Sequence, residues 1–445
     1  MNIPFVKRLI PLLGIILLII LLGPYGDSQV AALDKSTYKS LKTFNEILDL
    51  VEKNYVEDVD PNTLIKGAIN GMIKSLDPHS SFMTADMYKE LEVDTRGSFG
   101  GIGTEITMQK DILTVVSPIE DTPAFHAGIK SGDQIVMIDG QSTKDITIAE
   151  AVKKLRGKKD TKVTLSIMRE GFAKPKDFTL TRDVIKIKSV KSKVFDKSIG
   201  YIRLSAFQER TTSDLKKAVQ DLTEKVTPLK GIVLDMRNNP GGLLTQAVEV
   251  SDVFLKSGAI VSTRGKTKNM ESKASAKNDG HEPGCPMVVL VNEGTASAAE
   301  IVSGALQDNG RALIVGAQTF GKGSVQTVIP LEDGSALKLT TAKYYTPNGR
   351  SIQAEGIIPD VAVKFIPPEE TKSSPEGGGG KGMRERDLKG HIKSLKEENG
   401  APPEEAGKDK DKEGPADERA RDNQLKSAVD ILKGLDILKK NLNKY

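Results

Sequence analysis

The sequence predicts an α/β protein centred on a buried, largely parallel sheet, with a small β-rich module before it and helices at both ends. Three observations predict this. Between residues 198 and 366, short apolar runs alternate with amphipathic segments. Between 95 and 183, glycine clusters and β-branched runs take over. Near both ends of the chain, apolar residues recur at intervals of three and four.

Taken in order, Lys7 and Arg8 precede an apolar run from Leu9 to Leu22, followed by Gly23-Pro24 and Val30-Ala31-Ala32. A positive end, a short greasy stretch and small residues fit an export signal cleaved near Ala32. A bilayer span needs about 20 apolar residues, so an uncleaved anchor is the alternative. Residues 1–32 are therefore set apart from the fold, and the rest is expected to work in a bacterial periplasm or cell envelope, secreted or anchored.

Residues 36–90 read as a helical domain. Leu41, Phe44, Ile47, Leu48, Val51 and Tyr55 lie on one helical face, and a second helix enters at Asp60-Pro61-Asn62. Helices this small need a cover, from other domains or from a second subunit. Residues 95–183 carry Gly97, Gly100, Gly101 and Gly103 ahead of strands at Ile112–Val116 and Gln134–Ile138, a turn at Asp139-Gly140, a helix at Ile148–Leu155 and a strand at Lys162–Met168.

Residues 184–366 form the core domain. Strands at Ile199–Leu204, Ile232–Leu234, Met287–Val291 and Ala312–Val315 alternate with helices at Thr211–Val226, Leu243–Leu255 and Ala298–Leu306. Residues 367–420 are rich in Pro, Gly, Lys and Glu and cannot bury enough apolar surface to offset their ordering, so they read as a disordered linker. In 421–445, Leu425, Val429, Leu432, Leu435 and Leu438 form a last amphipathic helix.

Composition narrows the chemistry. The 445 residues carry 64 Lys plus Arg against 60 Asp plus Glu, a net charge of +4 that argues against a polyanionic partner such as nucleic acid. One cysteine, Cys285, excludes an intrachain disulfide and a thiolate cluster, and four scattered histidines make a histidine-built metal site hard to assemble. No metal, nucleotide or other cofactor is expected.

The candidate chemistry sits at Ser297 and Lys322. Ser297 stands between the strand Met287–Val291 and a helix, so its hydroxyl should face the carboxyl edge of the sheet, where a helix N-terminus favours developing negative charge. The structural alternative is that Ser297-Ala-Ala-Glu300 is a capping box. Histidines lie far from any obvious nucleophile in sequence, with His281 in a polar loop, so a Ser-His-Asp triad is disfavoured. Lys322, in Thr319-Phe-Gly-Lys-Gly-Ser-Val-Gln326, follows the next strand and is the other candidate base. An amine with an ordinary pKa of about 10.4 must be shifted down to act at neutral pH, by desolvation or nearby positive charge. Gly316-x4-Gly321-Lys322 also matches a phosphate-binding loop, but Gly323 replaces the magnesium-binding hydroxyl and a strand-like run follows in place of a helix.

Two resemblances follow from these residues. Phe99-Gly100-Gly101-Ile102-Gly103, Pro123-Ala-Phe-His-Ala-Gly128 and Lys130-Ser-Gly-Asp-Gln-Ile-Val-Met-Ile-Asp-Gly140 resemble a bacterial PDZ domain. Such a module holds a terminal carboxylate on loop amides and pairs an extended peptide with a strand edge; Gly100, Gly101, Ile102 and Gly103 would bind it. The whole set resembles the C-terminal processing peptidases, PDZ-bearing serine proteases of the crotonase-like fold class. Four motifs carry the likeness: Leu76-Asp-Pro-His-Ser80, Leu234-Asp-Met-Arg-Asn-Asn-Pro-Gly-Gly-Leu-Leu244, Asn292-Glu-Gly-Thr-Ala-Ser-Ala-Ala-Glu-Ile301 and Phe320-Gly-Lys-Gly-Ser-Val-Gln326.

The resemblance implies Ser297 as nucleophile, Lys322 as general base and Gln326 as the residue that positions the lysine. Gly241, Gly242 and the Ala298 amide are the expected oxyanion donors, since the loop Asn238–Gly242 follows a strand and opens a helix. Gln326 would reach the amine directly only in a compact, helical geometry; on a strand, four residues span roughly 13 Å. Arg156 matches an arginine linking PDZ occupancy to the protease site. Protein substrates with free, apolar C-termini, and a homodimer through the terminal helices, are the expected partners. The competing expectation is a catalytically inactive PDZ scaffold of the same fold.

Overall fold

The computed structural model describes residues 35–367, 384–388, 390–392 and 422–442. The expected export signal and most of the expected linker lie outside the described residues. Among the described residues, 35–71 form one compact unit and those from Met72 onward another.

The first unit holds helix α1 (Lys35–Asn54) and most of α2 (Pro61–Lys74). Asp60 starts α2 as expected: its carboxylate accepts from the Asn62 N–H and the Thr63 hydroxyl, both at 3.0 Å. Leu41, Phe44 and Ile47 of α1 form a stripe that stays exposed.

The second unit begins with the turn Leu76–Ser80, strand β1 (Ser81–Met83) and helix α3 (Ala85–Arg96). Strand β2 (Ser98–Gly101) leads into the β-rich module: β3 (Thr104–Gln109), β4 (Ile112–Pro118), the single turn α4 (Pro123–His126), β5 (Gln134–Ile138), β6 (Gln141–Ser142), α5 (Ile148–Leu155), β7 (Lys162–Met168) and β8 (Lys176–Thr181). Its sheet runs β3-β4-β5-β7-β8, leaving an edge of β3 unpaired, with α5 packed beside it. Period-two burial fixes β7: Val163, Leu165 and Ile167 face the core of the module. α5 starts in a capping box, Glu150 accepting from the Thr147 N–H at 2.9 Å and donating its own N–H to the Thr147 hydroxyl at 3.2 Å. The chain enters through β2 and leaves through β9 (Asp183–Lys186), and these two strands pair, so the module is an insertion closed by one antiparallel ribbon.

The core domain contains β10 (Val190–Phe195), β11 (Ile199–Leu204), α6 (Thr211–Lys225), β12 (Gly231–Asp235), α7 (Leu244–Asp252), β13 (Ala259–Gly265), β14 (Ser272–Ser275), β15 (Met287–Val291), α8 (Ala298–Asp308), β16 (Leu313–Gly316), β17 (Ser324–Pro330), β18 (Ala336–Tyr345) and β19 (Val361–Ala362). The main sheet runs β10-β11-β12-β15-β16-β19, parallel from β11 onward. Every residue of β12 and β15 is buried, as unbroken apolar strands covered on both faces should be. One face packs on α6, α7 and α8. The other is covered by the last helix, α9 (Asn423–Leu442), whose Leu425, Ala428, Val429 and Leu432 pack on Val233, Val288, Leu290 and Val315. The expected terminal helix is therefore docked on the sheet of its own chain.

Of a second, antiparallel sheet, β1-β18-β13-β14 with β17 on β18, only β17 was legible in the sequence, as the strand-like run after Gly323. Its long strand β18 is mostly half-buried and carries Lys338, Thr340, Thr341 and Lys343, so no clean alternation marks it. No helix among the described residues is long and apolar enough to cross a membrane.

Residues 384–388 correct the linker expectation. Glu385–Asp387 is a short 3₁₀ turn packed on the core domain, with Glu385 wholly buried.

Candidate active site

Adjacent parallel strands β15 and β16 deliver their following loops to one edge of the sheet. The first loop carries Ser297 at the start of α8, with φ 54° and ψ −115°. A non-glycine residue held there costs on the order of 1–3 kcal/mol and persists only when its surroundings enforce it. They do. The Ser297 N–H donates to Glu300 Oε2 at 2.7 Å. Gly241 lies against the serine, where a Cβ on it would sit 2.9 Å from Ser297 Cβ. The Ala296 N–H donates to the Asn239 carbonyl at 2.9 Å, tying the elbow to the loop after β12.

The second loop carries Lys322. Glu300 Oε2 also accepts from the Lys322 N–H at 2.9 Å, and Oε1 accepts from the Gly321 N–H at 2.8 Å and from the Thr319 hydroxyl. Two backbone nitrogens on one carboxylate oxygen lie closer together than the two bond lengths laid end to end. Glu300 thus joins the serine elbow to the lysine loop. Burial pushes its carboxyl up to about 7, against the four donors that favour the charged form. The glycines beside Lys322 are required by packing: a Cβ on Gly323 would meet Gln353 N at 2.2 Å, and one on Gly321 would meet Ala354 C at 3.1 Å. The phosphate-loop alternative fails on the same geometry, since the amides of 321 and 322 are already occupied by an anionic side chain and a strand follows.

Burial lowers the Lys322 amine below its ordinary 10.5, and Lys338 lowers it further, opposed by Glu385, Glu300 and Asp77. The motif Leu76–Ser80 thereby finds a place. Buried Asp77 accepts from the His79 and Ser80 N–H groups, each at 2.8 Å, and from the Ser80 hydroxyl at 2.7 Å. Burial raises its carboxyl, but these bonds prevail and hold it below the usual range. Ser80 Oγ accepts from the Thr340 N–H at 3.0 Å.

Gln326 sits in the strand β17 beside a bulge at Val325/Gln326, so the extended geometry holds. Its Nε2 donates to Thr340 Oγ1 at 2.9 Å and to Ser324 Oγ at 3.2 Å. Its Oε1 is buried without a partner among the described residues.

In the loop Asn238–Gly242, the Gly241 N–H donates to Asn239 Oδ1 at 2.9 Å. It must exchange that partner before it can serve a reacting oxygen. Asn239 Nδ2 holds the loop to the Leu204 carbonyl at 2.9 Å. Upstream, Asp235 and Arg237 anchor it: Asp235 accepts from Arg203 and Tyr201, both at 2.9 Å, and from Arg237 at 2.6 Å. Arg237 also reaches Asp422, at 2.7 Å, just ahead of α9. Burial raises Asp235 but Arg237 and Arg203 prevail, so its carboxyl lies below the usual range.

In the β-rich module, Gly100 and Gly103 are sterically required. A Cβ on Gly100 would lie 2.1 Å from the Gly157 carbonyl oxygen, and one on Gly103, at φ 78°, 2.3 Å from Thr122 Cβ. Ile102 is a core residue that anchors the loop, and its carbonyl accepts from the Ala124 N–H at 2.9 Å. The Arg156 guanidinium lies 4.8 Å from the Phe99 ring centroid, a cation–π contact beside Gly101. No group of His, Cys, Asp and Glu among the described residues could hold a metal ion.

Sequence reasoning missed three contributors. Glu300 was visible only as a cap, Asp77 only as part of a motif without a role, and Glu385 had no signal at all in its Lys/Glu-rich surroundings.

Comparison with known proteins identifies the family. Residues 198–363 match peptidase family S41, residues 100–181 a PDZ domain, and residues 26–87 the N-terminal domain of the activating protease CtpB. A carboxy-terminal-processing protease of Bartonella bacilliformis is 50% identical over 366 residues, covering 82% of this chain and 83% of its own. The carboxy-terminal processing protease CtpA of Bacillus subtilis is 38% identical over 341 residues, covering 76% and 70%. Among solved structures, a photosystem II D1 C-terminal processing protease is 32% identical with a TM-score of 0.43, covering 72% of this chain and 92% of that one. The chain belongs to peptidase family S41 and is a PDZ-containing serine peptidase of the carboxy-terminal processing protease group.

Proposed function

We propose that the protein captures the free C-terminus of a protein substrate in its PDZ domain and cleaves the tail with a Ser297/Lys322 dyad. The observation that carries this reading is the single carboxylate oxygen of Glu300, shared by the N–H groups of Ser297 and Lys322 at 2.7 and 2.9 Å. It supports a hydroxyl and a desolvated amine working on one substrate bond, on a crotonase-like core.

An amine at its ordinary 10.5 is neutral in only about one molecule in 3,000 at pH 7, and each unit of lowering raises that fraction tenfold. The neutral Lys322 amine takes the Ser297 proton as Oγ attacks the scissile carbonyl. The resulting oxyanion is met by the Ala298 and Gly242 amides, joined by Gly241 once its N–H leaves Asn239. The C–N bond breaks, Lys322 returns its proton to the leaving amine, and water attacks the Ser297 ester with Lys322 again as base. Gln326, in an extended strand and bonded to Thr340 and Ser324, does not hold the amine directly; any positioning of Lys322 by it runs through the backbone that joins them. The carboxylate of the tail is held where β2 ends and turns into β3, at Gly100, Gly101, Ile102 and Gly103, and its backbone pairs with the open edge of β3. Arg156, stacked on Phe99 beside this loop, is the candidate link between occupancy and turnover. The exposed stripe of α1 supports a homodimer, and the N-terminal run an exported, envelope-located enzyme.

Cleavage of a peptide with an apolar free C-terminus tests this directly. Ser297→Ala and Lys322→Ala each abolish turnover with the fold intact, and amidating the tail weakens capture. Full activity in either variant removes the dyad; equal cleavage of free and amidated tails removes the PDZ role.

A further inference from the structure

Glu385 stands in a stretch whose composition gives it no reason to pack, yet its side chain is 0% exposed. A buried carboxylate persists only where it is fully partnered. Here His79 Nε2 lies 2.7 Å from both oxygens, and Gln353 Nε2 donates to Oε1 at 2.9 Å. These contacts lead to the two flanks of Lys322. The Glu385 N–H donates to the Phe320 carbonyl at 3.0 Å, two residues before the lysine. Gln353, held by Glu385, accepts the Gly323 N–H on Oε1 at 3.0 Å, one residue after it. Arg384 adds a bond from Nη1 to Gln318 Oε1 at 2.8 Å, and its N–H closes the turn on Asp387 at 2.9 Å. His79 in turn belongs to the Leu76–Ser80 turn, its N–H held by Asp77.

We propose that Glu385 is a positioning residue for Lys322, supplied in cis by the linker, so that the base is correctly held only while residues 384–388 are docked. This rests on Lys322 being the general base. The charged groups facing the Lys322 amine are Lys338 from β18, Glu300 from α8, Asp77 from the Leu76–Ser80 turn and Glu385 itself. Glu385 therefore acts twice: its hydrogen bonds fix the loop, and its charge favours the protonated amine. A merely structural residue would do only the first.

The test uses the full chain, a tailed peptide and kcat and KM measured across pH for wild type, Glu385→Ala, Glu385→Gln and Lys322→Ala. Glu385→Ala is expected to lower the plateau kcat about tenfold or more, with KM nearly unchanged, because the loop is misaligned. Glu385→Gln keeps an oxygen for Gln353 and His79, so its plateau stays near wild type. In both variants the ascending limb of the rate moves to lower pH, because a charge that favoured the protonated amine is gone. A wild-type plateau and limb in Glu385→Ala overturns the inference, as does higher activity, which would make the docked segment inhibitory. If Glu385→Ala fails to fold, an unmoved limb in Glu385→Gln overturns it equally. Activity retained in Lys322→Ala removes the dyad and this inference together. An inactive Lys322→Ala beside wild-type Glu385 variants removes this inference alone.

Discussion

Replacing Glu300 by glutamine separates stability from alignment. The wild-type carboxylate serves four donors: Ser297 N–H and Lys322 N–H on one oxygen, Gly321 N–H and the Thr319 hydroxyl on the other. Glutamine keeps one oxygen. Its best orientation leaves that oxygen on Ser297 and Lys322, aims its NH2 at Thr319 Oγ1, and strips the Gly321 N–H of its partner. Burial raises the wild-type carboxyl from 4.5 to about 7. Between those pH values the folded chain keeps a proton that the unfolded chain has released. The stability contributed by this group is thus full below 4.5 and lost as pH rises through about 7. At roughly 1.36 kcal/mol per unit, ionisation costs the folded state about 3 kcal/mol at pH 8. Glutamine avoids that cost, so urea unfolding at pH 8 should show the variant at least as stable as wild type. Turnover should nevertheless fall on the order of 10²-fold, the cost of a misplacement of about 1 Å. The variant should also lose whatever part of the acid limb near pH 7 belongs to Glu300. A variant about 3 kcal/mol less stable at pH 8, or one with wild-type kcat, refutes the reasoning.

Lys322→Met should be inactive yet no less stable at pH 7. The amine lies below its ordinary 10.5 through burial, so the unfolded chain binds the extra proton and wild-type stability rises with pH up to 10.5; the methionine variant should lack that rise in urea unfolding. Arg237→Ala leaves buried Asp235 with Arg203, Tyr201 and the backbone N–H of residue 237, without the guanidinium that bound it most closely, and should cost about 3–5 kcal/mol, measured by urea unfolding. Asp235 lies below 3.8 in the folded state, so its contribution is present above that value and lost on acidification; the penalty of the variant should shrink in acid. Gly323→Ala puts a Cβ 2.2 Å from Gln353 N, which the backbone must relieve, and should cost about 1–3 kcal/mol together with most turnover. Wild-type melting and kcat in that variant would count against the packing described for the lysine loop.

Much of the scaffold was legible because it rests on local rules. Ile199–Leu204, Met287–Val291, Ile148–Leu155 and Lys162–Met168 have the bounds that periodicity and capping predict. That Ser297 and Lys322 share one edge of the sheet was legible from their places after neighbouring strands, while their assigned roles came from the family resemblance. What escaped depends on partners distant in sequence. β18 is defined by pairing with β1, β13 and β17, not by its own polar pattern. Gln326 was expected to hold the lysine, but an extended strand gives its Nε2 to Thr340 and Ser324. The oxyanion assignment to Gly241 followed from its place in the loop, whereas the side chain of Asn239 takes that N–H. Glu385 is fixed by His79, 306 residues away, and no local rule reaches that far.

The central claim is that the Lys322 amine is neutral where the enzyme works. Titration of that amine by NMR in the Ser297→Ala protein, set beside the pH profile of kcat/KM in the active enzyme, tests it most directly. The account predicts a midpoint below 10.5 that coincides with the ascending limb of the rate. An amine that titrates at its ordinary value, in an enzyme fully active at neutral pH, would contradict it.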